Sequence, residues 1–179
     1  MWGEAAANDP ARAGASFDKA CKLGEANGCF NLANLHYDGT GVPADKAKAF
    51  TLYEQACNAG KAAGCINLGA AYDDGEGVDV DKVKAFSLFK RACEGDEPIG
   101  CNNLAFMHAQ GSGTTADQAQ AARYYERGCT LGNAKSCEYI GTRYLEGKGV
   151  EKNPEKGRAL HDKACKGGTQ GACALVAAP

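Results

Sequence analysis

The sequence predicts an all-α solenoid of stacked helix pairs, and three observations carry that expectation. Ten cysteines fall as Cys21/Cys29, Cys57/Cys65, Cys93/Cys101, Cys129/Cys137 and Cys165/Cys173, one pair every 36 residues. Glycine pairs recur at the same period, Gly39/Gly41, Gly75/Gly77, Gly111/Gly113 and Gly147/Gly149. Between them run large and small apolar residues at fixed, helix-compatible positions. A period of this length marks a solenoid, in which each unit buries its apolar face only against its neighbours. The expected organisation is one array over residues 1–179, with a lead-in over 1–9 and five units at about 10–38, 45–74, 81–110, 117–146 and 154–178.

The first element is a helix starting at Pro10, in phase with later segments that carry Ala49, Ala85 and Ala121 and the rings Tyr53, Phe89 and Tyr125. This element, helix B, ends at the first cysteine of each pair. Helix A follows from the second cysteine. Leu32, Leu68, Leu104 and Ile140 hold one of its positions, and Ala33, Gly69, Ala105 and Gly141 hold the next. A small residue beside a large one lets a neighbouring helix approach closely. Helix A stops at the glycine pair, which supplies the left-handed turn. Helix B then restarts at Asp45, Asp81, Asp117 and Pro154, with acid expected in the first turn. Gly3 is the counterpart of Gly39, so the phase is expected to open the chain just after a missing helix A and to close it with a short helix A from Ala172 to about Ala178.

On an unbroken helix, residues eight apart are separated by about 12 Å, beyond disulfide reach. The chain must therefore fold back between the two cysteines. Glycines at Gly24, Gly60, Gly132 and Gly168 stand at that bend. The expected bridges staple the end of each helix B to the next helix A, each worth about 2–3 kcal/mol through loop closure. Ten cysteines in complete pairs read as a disulfide framework in an oxidising compartment. The N-terminal residues show no charged segment followed by an apolar run. Either a signal segment has been removed, or the chain reaches oxidising surroundings by another route. The mitochondrial intermembrane space is favoured, with the bacterial periplasm or secretion as the alternative.

Composition narrows the partners. A net charge of -2 with both signs interspersed offers no basic stripe, so nucleic acid is excluded as a partner class. No apolar stretch is long enough to span a bilayer.

The run Asn67-Leu68-Gly69-Ala70-Ala71-Tyr72-Asp73-Asp74-Gly75-Glu76-Gly77-Val78, followed by Lys84-Ala85-Phe86 and Ala92-Cys93, resembles the Sel1-like repeat. The resemblance covers nearly the whole chain and implies a right-handed superhelix of helix pairs related to the tetratricopeptide repeat. The added cysteine pairs resemble the Helicobacter cysteine-rich proteins and, less closely, the intermembrane-space type of cytochrome c oxidase assembly factor. Thr114 departs from the loop valine, and Gly128 and Gly157 from helix B alanines, which is expected to weaken a turn locally. The resemblance implies a non-catalytic scaffold for a protein or peptide partner, including a subunit or assembly role in a respiratory complex. The alternative it implies is a secreted or periplasmic protein with penicillin-binding or β-lactamase-like activity.

Residues bearing chemistry are few. The candidate groove comprises Asn31, Leu35, Asn67, Tyr72, Asn103, His108 and Tyr144, with asparagines offered to a peptide backbone. Ser16-x-x-Lys19 and Ser87-x-x-Lys90 match the start of a serine acyl-enzyme motif, but its Ser-Asp-Asn and Lys-Thr-Gly partners are missing. No catalytic residue is therefore assigned. His36, His108 and His161 occupy slots that other units fill with rings, which reads as packing. His108 and Met107 diverge by about 100° on a helix and cannot share one haem iron. Cysteine spacing suits neither zinc nor a redox dithiol, and the acidic loop 73–81 lacks the order of a calcium loop. No metal or cofactor is expected.

Overall fold

The computed structural model describes residues 10–177. The lead-in over 1–9, with Trp2 and Gly3, and the helix end near Ala178 lie outside the described residues. The chain divides into two compact units at the Asp81/Lys82 junction. The first holds α1 (Pro10–Lys22), α2 (Ala26–Asp38), α3 (Lys46–Asn58) and α4 (Ala62–Asp74). The second holds α5 (Lys82–Glu94), α6 (Pro98–Gln110), α7 (Gln118–Thr130), α8 (Ala134–Glu146), α9 (Pro154–Lys166) and α10 (Gln170–Ala177). Odd-numbered helices are helix B and even-numbered ones helix A. Within each unit, consecutive helices pack on one another, giving the all-α succession of helix pairs.

Local chemistry sets the helix ends. Gly39, Gly75, Gly111 and Gly147 close helix A with positive φ, and their amides return to carbonyls within the last turn. The expected acid in the first turn of helix B is instead its N-cap. Asp45 accepts from the Lys48 amide, Asp117 from those of Ala119 and Gln120, and Asn153 from that of Lys156. The cap satisfies amides that have no intrahelical partner. Pro154 accordingly stands inside α9, one residue after its cap. A latch recurs across this loop. The amides of Asp45, Asp81, Asp117 and Asn153 donate to the carbonyls of His36, Tyr72, His108 and Tyr144 at 2.8–2.9 Å.

Five disulfides are formed, each within its own cysteine pair. Cys21–Cys29 has a Cα separation of 4.4 Å, Cys57–Cys65 of 4.8 Å and Cys93–Cys101 of 4.4 Å. Cys129–Cys137 spans 4.5 Å and Cys165–Cys173 spans 4.6 Å. The helix boundaries around them correct the sequence expectation. Helix A does not start at the second cysteine: Cys29, Cys65, Cys101, Cys137 and Cys173 are the fourth residues of α2, α4, α6, α8 and α10. Likewise Cys21, Cys57, Cys93, Cys129 and Cys165 are penultimate in α1, α3, α5, α7 and α9 rather than terminal. The bend is therefore only a few residues long, and each bridge links two helices inside their regular turns. The physical reason is that one residue serves both helices. The amides of Glu25, Lys61, Glu97 and Asn133 return to the carbonyls of Ala20, Ala56, Ala92 and Gly128 to close helix B, and the same residues are the N-caps of α2, α4, α6 and α8.

Four of the bends use a glycine at positive φ, but the third uses Asp96, at φ 58°. Aspartate tolerates this left-handed geometry and a β-branched residue does not. Asp96→Val is expected to cost about 1–2 kcal/mol while Asp96→Asn stays within about 0.5 kcal/mol, measured by urea denaturation.

Within each unit the core lies between successive B and A helices. In the first unit Leu32, Ala33, Ala49, Phe50, Leu52, Tyr53 and Leu68 are buried. In the second, Ala105, Ala121, Ala122, Tyr125, Ile140, Ala164 and Ala172 form one cluster, which Cys129 and Cys137 join as a buried bridge. The departure at Gly128 is compensated. Elsewhere Gly28, Gly64 and Gly100 on helix A pack on Ala20, Ala56 and Ala92 of helix B. Here the sizes are exchanged, and the buried Ser136 of helix A fills the space over Gly128, its hydroxyl donating to Asn102 Oδ1 at 3.1 Å. Volume across the contact is conserved, so the expected weakness is offset.

Candidate functional site

In the first unit, α2, α3 and α4 leave a cleft of about 310 Å³ on the helix A face. Asn34, Tyr37 and Asp38 come from α2, Phe50 and Tyr53 from α3, Asn67, Ala70 and Ala71 from α4, and Glu76 from the following loop. Residues 34 and 38 of α2 share one stripe, so their side chains reach the same opening. Tyr53 forms its floor. Its hydroxyl donates to Asn34 Oδ1 at 2.6 Å and accepts from the Asn67 amide. Burial, partly countered by the Asn67 bond, holds the phenol pKa above its ordinary value. The relay leaves an amide N–H at the Asn34 end and an amide oxygen at the Asn67 end, which are the two groups an extended backbone needs.

The rim is ionic. Glu76 accepts from Lys46 Nζ at 2.5 Å and from the Tyr37 hydroxyl at 2.7 Å. The Lys46 bond, then the Tyr37 bond, holds the Glu76 carboxyl below the usual range. The acidic loop thus turns this carboxylate toward the preceding repeat.

The second unit repeats the cleft. About 280 Å³ lies between α7 and α8, lined by Tyr125, Glu138, Tyr139, Thr142, Arg143, Glu146 and Lys148. Two periods on, Tyr125 stands for Tyr53, Tyr139 for Asn67, Arg143 for Ala71 and Lys148 for Glu76. The cleft is therefore a property of the repeat, while its chemistry differs from unit to unit.

The residues expected in a groove do not share one face. Asn67 lines the first cleft, and Asn31 and Asn103 occupy the same slot on α2 and α6, half-buried. Leu35 instead points toward the Gly14 position of α1. His108 stacks on Tyr124 of α7 (5.4 Å between centroids) and meets the edge of Phe86 of α5 (5.1 Å). Tyr144 turns to α7 and α9. Its hydroxyl accepts from Lys156 Nζ at 2.6 Å, and Glu126 takes the same ammonium at 2.7 Å. Tyr72 shares this slot and is half-buried, with its carbonyl in the latch. The slot of Tyr72, His108 and Tyr144 lies five residues after that of the asparagines, about 140° around the helix, and at His108 and Tyr144 it faces the flanking B helices. The stripe at Asn34 and Asp38 was missed. The i, i+3, i+7 spacing from Asn31 would have found it.

The chemistry sought elsewhere is not assembled. The Ser16 hydroxyl donates to the Arg12 carbonyl at 3.0 Å, and Lys90 pairs with Glu94 at 3.9 Å. Met107 is buried while His108 lies between rings. Among the described residues no three His, Cys, Asp or Glu side chains converge, and no helix is long and apolar enough to cross a membrane.

His108 makes a pH prediction. Its Nδ1 is enclosed with no hydrogen-bond partner, and burial, opposed by Asp117, lowers the imidazole pKa from 6.5. A folded pKa below the unfolded one gives stability that is full above pH 6.5 and declines as pH falls toward the lowered value. His108→Phe is expected to flatten this acid slope and add about 1 kcal/mol at neutral pH, read from urea midpoints across the window.

The repeat model named Sel1 repeat matches residues 26–61, 62–97, 98–133 and 134–169. The chain belongs to the Sel1 repeat family. Each match begins at a helix A and ends at the cap of the next, so the family unit coincides with the stapled period. Among solved structures, the chain is similar to a Sel1 repeat protein from Oxalobacter formigenes (25% identity, 92% of this chain and 67% of that one, TM-score 0.85). It is similar to c5321, a protective antigen of uropathogenic Escherichia coli with the same repeat fold (29% identity, 89% of this chain but 34% of that one, TM-score 0.84). Helicobacter pylori cysteine rich protein B matches at 30% identity over 74% of this chain and 95% of that one, TM-score 0.61. The five cysteine pairs fit this cysteine-rich subgroup. No curated protein sequence matches. As a Sel1 repeat array, the protein is a scaffold for protein–protein interaction.

Proposed function

We propose that this Sel1 repeat protein is a non-catalytic scaffold that holds an extended peptide segment on its helix A face, in an oxidising compartment outside the bacterial cytosol. The Asn67–Tyr53–Asn34 relay carries this reading, because it holds two side-chain amides in the lining of one cleft with a donor and an acceptor not used by Tyr53. The bacterial setting is preferred because the chain resembles bacterial cysteine-rich and Sel1 repeat proteins. The mitochondrial accessory-subunit reading rests on the sequence pattern, without a counterpart among the solved structures described above. The penicillin-binding reading has no support from Ser16 or Ser87, and a fluorescent penicillin is expected to leave the native protein unlabelled.

Selection from a displayed pool of random peptides tests the scaffold. Enriched sequences are expected, and an Asn34→Ala/Asn67→Ala variant that keeps the wild-type melting temperature is expected to bind them about tenfold more weakly. Failure to enrich any peptide, or equal binding by the double variant, would overturn the reading.

A further inference from the structure

Position 143 breaks the repeat. The slot holds Leu35, Ala71 and Met107 in the earlier units and an arginine in this one. Arg143 is 7% exposed, so a guanidinium sits at a position other units keep apolar. One terminal nitrogen donates to Gln118 Oε1 (3.0 Å) and to the Lys148 carbonyl (3.3 Å). The group lies 5.3 Å from the centre of the Tyr125 ring. Both acceptors are neutral, and among the described residues no carboxylate pairs with it. A buried cation without a counter-ion is costly, and natural proteins pair such charges. The rest of the guanidinium fork, at Nη2 and Nε, is left for another partner.

Arg143 lines the α7–α8 cleft. Lys148, in the same wall, adds a second cation, and Tyr125, whose pKa burial pushes up to about 12, remains a donor. Two acids also line the cleft. Glu138 directs its carboxylate at Gly171 of α10, and Glu146 ends α8 in solvent. Neither reaches the guanidinium. Where the first cleft holds Glu76 and Ala71, the same slots here hold Lys148 and Arg143, so an acidic and an apolar position both become cationic.

We propose that this cleft is an anion subsite in which Arg143 receives the side-chain carboxylate of an aspartate or glutamate in the bound segment. The proposal rests on the peptide-scaffold reading and names what this part of the scaffold selects. A side chain, rather than a chain terminus, is assigned because exposed rings stand both in the cleft wall, at Tyr139, and outside it, at Phe106. Phe106 on α6 is 49% exposed and Tyr139 on α8 is 44% exposed. A segment lying over both rings passes through the cleft and presents a side chain to it.

Three probes at constant ionic strength test this. N-acetyl-glutamate amide carries only a side-chain carboxylate, N-acetyl-glycine only a terminal one, and N-acetyl-glutamine amide neither. The first is expected to shift the Arg143 Nε–Hε resonance saturably and to raise the melting temperature of the wild type, but not of Arg143→Met, which restores the side chain of the 107 slot. An Arg143 resonance unmoved by the first probe, or moved equally by the second, overturns the assignment. Acetylated, amidated peptide pools with a central Glu or Gln separate the two readings. About tenfold preference for Glu, lost in Arg143→Met, supports the subsite. Equal binding of both pools leaves the scaffold standing and removes the subsite. If neither pool binds but N-acetyl-glutamate amide still shifts Arg143, the scaffold reading fails and the anion site stands.

Discussion

Replacing Cys93 and Cys101 together by alanine is expected to lower the unfolding free energy by about 2.5 kcal/mol. The bridge closes a loop over a sequence separation of eight, and removing it frees the denatured chain while leaving helices α5 and α6 intact. Both cysteines are buried, so a small cavity adds to the loss. Five such bridges together rival the whole stability of an ordinary domain, about 5–15 kcal/mol. Full reduction is therefore expected to abolish the cooperative transition, because stacked units have no central core to fall back on. Urea denaturation followed by circular dichroism, with and without reductant, checks both results. A reduced protein unfolding at the unreduced midpoint would refute the staple as a source of stability.

The second large effect is expected at Gly149. This residue has φ +76°, and a Cβ there would overlap the Gln118 carbonyl at the start of α7. Gly149→Ala combines the left-handed penalty of an L-residue with a backbone collision, and about 4 kcal/mol is expected to be lost. Gly132 is the control. It has φ +98° with nothing within 4 Å of an added Cβ, so Gly132→Ala should cost only about 1 kcal/mol. Equal losses for the two variants would show that the loop does not press on α7.

Helix order was legible because it is written redundantly. Cysteines, glycine pairs and alternating large and small residues recur in register, and each copy corrects the reading of the others. Helix ends were read less sharply. The helix B caps were misplaced by one residue, since an acid at a helix start serves equally as cap or first-turn charge until its hydrogen bond to an amide is seen. Helix A was started three residues late at Cys29, Cys65, Cys101 and Cys137, and two residues late at Ala172, because the residues ahead of each carry no shared start signal. The groove was read less well. Asn67 reaches a cleft, but His108 and Tyr144 answer to neighbouring B helices. Register equivalence says that two residues occupy the same slot, not which way the slot faces.

What the sequence by itself determined is the period, the helix pairs and the positions at which pairs could be cross-linked. These follow from local rules: backbone freedom at glycine, helical spacing and the reach of a disulfide. Only the tertiary structure decided which stripe of helix A opens on a cleft, that Ser136 fills the gap above Gly128, and that Arg143 is buried without a carboxylate. Each depends on a side chain contributed by another helix, and that distance is set by packing rather than by the chain's own neighbours.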